Sequence, residues 1–319
     1  FTTTISEINL LGRGQTISLS AQYAADAISR SFNLGFTDPY AFDTRWSVGG
    51  DVYSIIFPIP NKYTTRKLGF DIRLGHPVAE YVNAYVTYKN ESLQIRNPRA
   101  GLPQELIDPD QGVLSSVVWS VVRDKRNNRF ETTDGNYQSA TLETAGLGGD
   151  KEFVKWTVNN RFYKRIVGDL VFRNSIEIGH IAGTGDRPLP PSEKFYLGGP
   201  NNMKGYELFF LGPSTRVGTT QTGFVRVPLG GTTQMFGLFE VEHPLIREAG
   251  LKWVVFFDAG NIFERFPRDG DPFTIRTDAG LGIRWFSPIG PLRFEWGFPF
   301  SRRPDESSSV FNFFIGPPF

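Results

Sequence analysis

Apolar and polar residues alternate one by one through many stretches of this 319-residue chain. From Leu68 to Leu74 the even positions are apolar and the odd ones small or charged, and residues 275–285 and 292–296 repeat the pattern. A period of two puts successive side chains on opposite faces of a β-strand. No run of 18 apolar residues, about the length of a transmembrane helix, occurs in the chain. The chain is therefore predicted to be all-β and antiparallel, with one apolar and one polar face.

Strand length and aromatic content indicate what the apolar face contacts. In a soluble sandwich that face would pack against a second sheet. The predicted strands instead approach the ~9–11 residues needed to cross a bilayer, and aromatics gather at strand ends as in interfacial girdles. Aromatics make up 14% of the chain, yet its mean hydropathy is only −0.25, because lipid-facing and lumen-facing residues offset each other. These features predict a transmembrane antiparallel β-barrel.

Fifteen strands are predicted, joined alternately by tight turns and longer polar loops, which fits periplasmic and extracellular faces. Tight turns are expected at 76–78, 164–168 and 287–291, and the longest excursion runs from about 183 to 232. Single-chain bacterial barrels normally have an even number of strands, so we expect one strand to precede Phe1. We expect residues 1–319 to form a single barrel domain, 16-stranded when intact, and we expect this chain to contain no N-terminal periplasmic domains. The predicted strands are 3–12, 15–25, 29–38, 44–57, 64–76, 79–91, 112–125, 135–147, 151–164, 168–182, 233–244, 250–260, 273–286, 290–300 and 308–316.

Composition argues against several classes of function. The net charge is +1 and no long basic cluster is present, so no nucleic-acid partner is expected. The absence of cysteine argues against zinc–thiolate sites, disulfides and cysteine nucleophiles. His76, His180 and His243 lie on separate elements and give no metal or catalytic-triad spacing. We expect no enzymatic activity, no metal and no cofactor, and the acidic stretch 107–110 is expected to bind no calcium.

One segment, from Phe195 to Glu207, joins an aromatic strand end to a glycine-rich turn followed by a cation, a glycine and an aromatic residue. It resembles the loop-six signature of the BamA superfamily of outer-membrane insertases, in which an Arg-Gly-aromatic tip folds back into the barrel lumen. Lys204 stands where the family usually has arginine. A phosphate-binding loop is a poor alternative, because Gly205 follows the lysine where Ser or Thr is required.

Four further stretches resemble turns of the same family, in the same order along the chain. Each alone could be ordinary hairpin chemistry, since Gly and Pro supply the dihedral angles that tight turns need. The first aligns with the end of the family's second strand, in agreement with a missing first strand. The four are Leu10–Gln15, Phe36–Tyr40, Arg123–Gly135 and Trp285–Leu292.

The resemblance implies an ionic lock between the loop-six tip and the barrel wall. Lys204 matches the loop cation, Asp258 the aspartate of the family's F-x-D-x-G strand, and Glu240 the glutamate of the preceding strand. A cation in a partly desolvated lumen needs anions nearby, and lysine lacks the two-pronged geometry of arginine, so a looser lock is expected. The alternative is that the three are independent wall charges. The remaining residues of the predicted lock are Gly198, Gly199, Gly205 and Tyr206.

The C-terminal segment is predicted to form a lateral seam with the first strand. Phe311, Phe313 and Ile315 share the lipid-facing parity, and the terminal aromatic Phe319 resembles the recognition signal that such barrels carry. Gly316 is the last residue expected to pair. The two residues that follow, Pro317 and Pro318, have no N–H group for a β-ladder. They either keep the seam open or simply end the strand.

The family resemblance implies an insertase that folds and inserts β-barrel proteins into the Gram-negative outer membrane through a weak lateral seam. Its partners would be the outer-membrane bilayer, unfolded β-barrel clients and periplasmic assembly lipoproteins. A two-partner-secretion-type exporter of the same superfamily and a passive porin are the alternatives, each expected to conduct ions strongly. A barrel that anchors an N-terminal hydrolase domain is a third.

Overall fold

The computed structural model describes residues 2–23, 29–59, 62–129, 131–219, 223–265, 274–287 and 290–316. Seventeen strands and four short 3₁₀ helices lie in these ranges. The strands are β1 Thr2–Leu10, β2 Gln15–Tyr23, β3 Arg30–Asp38, β4 Ser47–Ile59, β5 Tyr63–Ala79, β6 Val82–Arg96, β7 Gly112–Asp124, β8 Gly135–Ala145, β9 Phe153–Val167, β10 Leu170–Gly183, β11 Ser214–Thr219, β12 Gly223–Pro228, β13 Thr233–Ile246, β14 Leu251–Phe263, β15 Arg276–Ser287, β16 Gly290–Pro299 and β17 Val310–Ile315. The 3₁₀ helices are Ala41–Asp43, Gln104–Leu106, Asp108–Asp110 and Pro191–Glu193.

Fifteen strands form one antiparallel sheet in chain order, β1 to β10 followed by β13 to β17. The all-β barrel class predicted from the sequence is confirmed, and so are the fifteen wall strands. The strands β11 and β12 form a separate hairpin inside loop six, the segment 184–232 between β10 and β13. Among the described residues, no helix is both long and apolar enough to span a membrane.

Three features of the strands differ from the predictions. A turn was expected at 164–168, but β9 runs on to Val167 and the connection is residues 168–169, because Lys164 and Arg165 still pair with Phe172 and Val171. Another turn was expected at 76–78, but β5 runs on to Ala79 and its rim connection is residues 80–81, because His76 and Pro77 still pair with Ala84 and Asn83. The β11–β12 hairpin was not predicted at all. The central residues of the predicted 287–291 turn, 288 and 289, lie outside the described residues.

The two faces of the sheet separate as the alternation predicts. Leu68, Phe70 and Ile72 of β5 are 51%, 40% and 51% exposed, while the intervening Asp71 faces the lumen. Leu281 is likewise 58% exposed, next to inward-facing neighbours on β15. Leu292 has lipid-facing parity but is covered between Trp285 and Ile315, its partners on the flanking strands. The outer face is therefore a continuous apolar surface suited to hydrocarbon.

The inner face curls around loop six, which contacts opposite walls of the barrel. At its start, Glu193 meets lysines of β5 and β9, and at its tip Lys204 meets acids of β13 and β14. Two apolar clusters fix the loop between these contacts. One contains Phe195, Leu197, Met203, Tyr206, Leu211 and wall residues such as Phe153 and Ile181; the other joins Val217 and Val227 of the hairpin to Ile59, Tyr63, Leu102 and Ile107.

Candidate functional site

A compact glycine turn builds the tip of loop six. Gly198 and Gly199 both have a backbone φ of +111°, a conformation that residues with a Cβ rarely adopt. A Cβ on Gly198 would lie 2.3 Å from the carbonyl oxygen of Glu207, so the returning chain leaves no room for one. Asn202 accepts a 2.9 Å hydrogen bond from the Gly198 N–H and so braces the turn. This turn reverses the direction of the chain and places residue 204 against the barrel wall.

The side chain of Lys204 is buried, with 1% of its surface exposed, between two wall carboxylates. Its Nζ lies 3.0 Å from Oδ1 of Asp258 on β14 and 3.1 Å from Oε1 of Glu240 on β13. The Lys204 backbone N–H also donates to Oδ2 of Asp258 at 3.2 Å. Nζ stands 4.4 Å from the ring centroid of Phe256, a cation–π distance. The structure thus brings together Lys204, Glu240 and Asp258.

A second cation, Arg284 on β15, shares the same acids. Its guanidinium donates to both oxygens of Glu240, Nη1 to Oε2 at 2.8 Å and Nη2 to Oε1 at 2.9 Å. Arg284 also binds Glu295 at 2.7 Å and Glu242 at 3.2 Å. The two-pronged arginine geometry that residue 204 lacks is therefore present on the neighbouring wall strand. Buried charges need such mutual compensation, because each loses its hydration.

The tip backbone packs closely against β15 and β16. A Cβ on Gly205 would lie 2.5 Å from Cβ of Asp278, and one on Gly297 would lie 2.6 Å from the Gly205 backbone. Tyr206, 2% exposed, donates its hydroxyl hydrogen to the carbonyl oxygens of Thr277 and Ser301 at 3.0 and 3.3 Å. Glycine at 205 is thus required by the space between loop and wall.

The carboxylate of Asp278 faces the same buried region and stands opposite Asp258 in the β14–β15 register. It is completely buried, and among the described residues neither of its oxygens has a hydrogen-bond donor. The buried region around Lys204 therefore contains one acid more than its cations directly contact.

Loop six also touches the last hairpin of the sheet. Arg293 of β16 donates to Oδ1 of Asn201 at 2.6 Å and stacks over the ring of Phe314, 4.6 Å from its centroid. Asn312 of β17 donates from Nδ2 to the carbonyl oxygen of Lys204 at 2.8 Å. The tip thus joins the acids of β13 and β14 to the edge strand of the sheet.

Three of the residues predicted to form a seam lie on the outer face of β17. Phe311, Phe313 and Ile315 are 61%, 54% and 58% exposed, and Phe313 packs on Phe294 with ring centroids 5.1 Å apart. Gly316 donates its N–H to the carbonyl oxygen of Pro291 at 2.8 Å, just beyond the strand. The predicted seam residues Pro317, Pro318 and Phe319 lie outside the described residues.

Glu193 anchors the start of loop six, outside the membrane-spanning strands. Its carboxylate lies 3.5 Å from Nζ of Lys67 and 3.8 Å from Nζ of Lys155, and Lys155 also donates to its backbone carbonyl at 2.8 Å. Burial alone would raise the pKa of Glu193. Lys67, Lys155, Lys89 and Lys151 outweigh that effect and hold the pKa at about 2.

The acidic stretch 107–110 has a structural role. Asp110 is completely buried and accepts hydrogen bonds from the Tyr63 hydroxyl and, at 2.6 Å, from the Ser192 N–H, so both of its oxygens are occupied. Within the described part of the chain, no group of three or more His, Cys, Asp or Glu residues could hold a metal ion.

Sequence reasoning found the loop cation and its two acids but missed the roles of Arg284, Glu193 and Asn312. The alternation of residues 275–285 places Arg284 on the inner face, and the alternation of β17 places Asn312 on the inner face of an otherwise apolar strand. The alternation does not identify the residues that Arg284 and Asn312 contact, because each contact depends on how the sheet curls around loop six. Glu193 gave no signal, since a lone acid in a polar loop is usually solvated.

Comparison of this sequence with known proteins shows the family to which the chain belongs. Residues 9–319 match the Omp85 superfamily domain. The chain is 27% identical to the outer membrane protein assembly factor BamA of Nitratidesulfovibrio vulgaris, over 98% of the chain and 39% of that protein. It is 25% identical to BamA of Neisseria meningitidis, over 99% of the chain and 44% of that protein. It is also 25% identical to the human sorting and assembly machinery component 50 homolog, over 87% of the chain and 58% of that protein.

Solved structures show the same fold. BamA from Haemophilus ducreyi lacking POTRA domains 1–3 superposes with a TM-score of 0.83 and 19% identity, covering 98% of this chain and 67% of that one. CdiB from Acinetobacter baumannii superposes with a TM-score of 0.62 and 12% identity, over 98% of this chain and 55% of that one. This chain, which spans about two fifths of the BamA relatives it matches, belongs to the Omp85 superfamily and is a β-barrel of the outer membrane.

Proposed function

We propose that this barrel folds and inserts other β-barrel proteins into the outer membrane through a lateral seam at β17. The relatives named as assembly factors support assembly as the general role. In this proposal residues 1–319 act as one transmembrane unit and carry out no covalent chemistry. Their partners are the bilayer, unfolded barrel clients and periplasmic assembly lipoproteins.

The observation that carries the proposal is the weak attachment of the last strand. β17 pairs with β16 through six residues, Val310 to Ile315, whereas β15 and β16 pair through ten. Among the described residues β17 has no second neighbour in the sheet. An unpaired strand edge is costly in hydrocarbon, so a short edge strand is ready to accept a client strand by β-augmentation.

Loop six favours assembly over export or passive diffusion. Its tip is buried against β13–β16, and Phe195, Leu197, Met203 and Tyr206 pack as an apolar cluster inside the barrel. An exporter or a porin needs a wide water-filled passage, which a packed loop obstructs. The likeness to CdiB is one of fold and gives no separate support to export.

The test is reconstitution of the purified protein into liposomes, followed by addition of a urea-unfolded β-barrel client. We expect the client to gain its folded, heat-modifiable form several-fold faster than with empty liposomes or liposomes holding a closed barrel of similar size. A large, steady ion conductance without faster client folding would contradict the proposal and favour a porin.

A further inference from the structure

The register of β17 on β16 is poorly defined by the lipid-facing residues. On that face Phe311, Phe313 and Ile315 stand opposite Trp296, Phe294 and Leu292. A shift by one residue is excluded, because it would carry all three apolar side chains into the lumen. A shift by two residues would again place large apolar side chains opposite one another. The outer face therefore distinguishes odd shifts from even ones and no more.

The inner face of β17 offers a contact that can distinguish them. Its inward residues are Val310, Asn312 and Phe314, and only Asn312 has a polar side chain. Nδ2 of Asn312 donates to the carbonyl oxygen of Lys204 at 2.8 Å. A carbonyl oxygen can only accept, so the amide nitrogen must face it. A two-residue shift would move Asn312 by about 6.8 Å along the strand, beyond the reach of a hydrogen bond.

The acceptor itself is held firmly. The Lys204 side chain is fixed by Asp258 and Glu240, and its backbone N–H binds Asp258 at 3.2 Å. The adjoining Gly205 backbone packs directly on Gly297 of β16, the residue opposite Val310. The Lys204 carbonyl group is thus held in a fixed position beside the edge strand β17.

We propose that Asn312 is a positioning residue that sets the register of the seam strand against the tip of loop six. Its hydrogen bond allows only one register for the six-residue pairing of β17 with β16. When the tip of loop six is released, β17 is free to shift along β16 by two residues at a time. The importance of this register for client insertion rests on the proposed function, whereas the register itself can be measured without any client.

Because the chain contains no cysteine, disulfide trapping can report the register directly. The pair Phe294→Cys with Phe313→Cys joins directly opposed positions and traps the native register. The pair Phe294→Cys with Phe311→Cys traps a register shifted by two. Each pair is introduced into the full chain in liposomes, oxidised, and quantified by mass spectrometry of the disulfide-linked peptides.

We expect Asn312→Ala to raise the ratio of shifted to native disulfide several-fold. Asn312→Asp, which keeps the shape but has no donor and faces Glu295, should do the same. Lys204→Ala should raise the ratio as well, because the acceptor loses its anchor. Asn33→Ala is the matched control: Asn33 is an inward-facing asparagine of β3 that donates to Asp51 at 2.8 Å, far from loop six in the sheet order, and its loss should leave the ratio unchanged.

A native ratio in Asn312→Ala or in Asn312→Asp would overturn the proposal. An equal rise of the ratio in Asn33→Ala would also overturn it, because that result would show that the whole barrel had become less stable. Client insertion is measured in parallel on the variants without cysteine. A shifted register with unchanged insertion would contradict the role of the seam in the proposed function and leave the role of Asn312 intact.

Discussion

At the scale of single residues, Lys204 compensates two buried acids at once. Replacing it with alanine would leave Glu240 with Arg284 alone and would remove the only side-chain cation in contact with Asp258 among the described residues. Loss of one partner from a buried ion pair typically costs about 3–5 kcal/mol. We therefore expect Lys204→Ala to lower the temperature at which the folded gel band converts to the unfolded one.

Coupling to Asp258 makes this prediction specific. If the contact accounts for the loss, Asp258→Asn should add little to Lys204→Ala, because the first change has already removed the interaction. Additive shifts of the transition temperature would show that the two residues act independently. Leu281→Ala on the outer face of β15 is a suitable control and should add its full effect to Lys204→Ala.

The conservative change Lys204→Arg is expected to keep or increase heat resistance. Arg284 already occupies both oxygens of Glu240, but both oxygens of Asp278 lack a hydrogen-bond donor among the described residues. An arginine fork has the extra donors to serve Asp258 and Asp278 together. A lower transition temperature would show that the site has no room for the larger group.

Single residues also show which contacts could be predicted from the sequence and which could not. The pairing of Lys204 with Glu240 and Asp258 was predicted because a family resemblance linked three distant segments. Arg284 and Asn312 could be assigned to the inner face by parity but not to their partners. A contact between positions 204 and 312 depends on curling of the whole sheet, which no local pattern encodes.

At the scale of elements, loop six is held by two anchors of opposite polarity. Lys204 at the tip enters a group of acids, whereas Glu193 at the start enters a group of lysines that includes Lys67 and Lys155. We expect Glu193→Gln to expose the start of the loop and to accelerate its cleavage by protease at neutral pH. Glu207→Gln, in the same loop but exposed, is the matched control and should leave cleavage unchanged.

The pKa of Glu193 gives this anchor a defined pH dependence. The pKa is about 2 in the folded protein, compared with about 4.3 for an unperturbed glutamate. An acid with a lowered folded pKa contributes stability above its unfolded pKa and loses it as the pH falls toward the folded one. The difference in transition temperature between wild type and Glu193→Gln should therefore be largest above about pH 5 and shrink toward pH 2. A difference that grows on acidification would contradict this assignment.

Elements that depend on loop packing were the hardest to predict. The bounds of loop six, about 183–232, agree with the observed 184–232, because long alternating strands flank it. The β11–β12 hairpin was not predicted, because Val217 is the only apolar residue of β11 and because β12 is only six residues long and ends in a proline. Its stability comes from Val217 and Val227 packing on Ile59 and Tyr63 of the wall, a tertiary contact and not a strand propensity.

At the scale of the whole molecule, loop six divides the lumen into a filled and a more open part. Asp278, Arg284 and Glu295 face inward but are nearly inaccessible, whereas Asp71 and Glu177 are half-buried. Cysteines at 71 and 177 should react with a water-soluble thiol reagent, and cysteines at 70 and 72 should react only with a lipid-phase one. Equal labelling at 70 and 71 would contradict the barrel assignment for β5.

The outer face of the barrel predicts a depth-dependent cost of charge. Leu281, 58% exposed, is near the middle of β15, whereas Ile246, 48% exposed, ends β13 at the short-turn rim. Arginine near the bilayer midplane costs about 2–4 kcal/mol, and near the interface about 0–1. Leu281→Arg should therefore lower the free energy of unfolding in lipid vesicles far more than Ile246→Arg, as measured by denaturant titration. Because the two side chains are similarly exposed, burial in protein cannot explain such a difference, and equal losses would mean that this face does not lie in hydrocarbon.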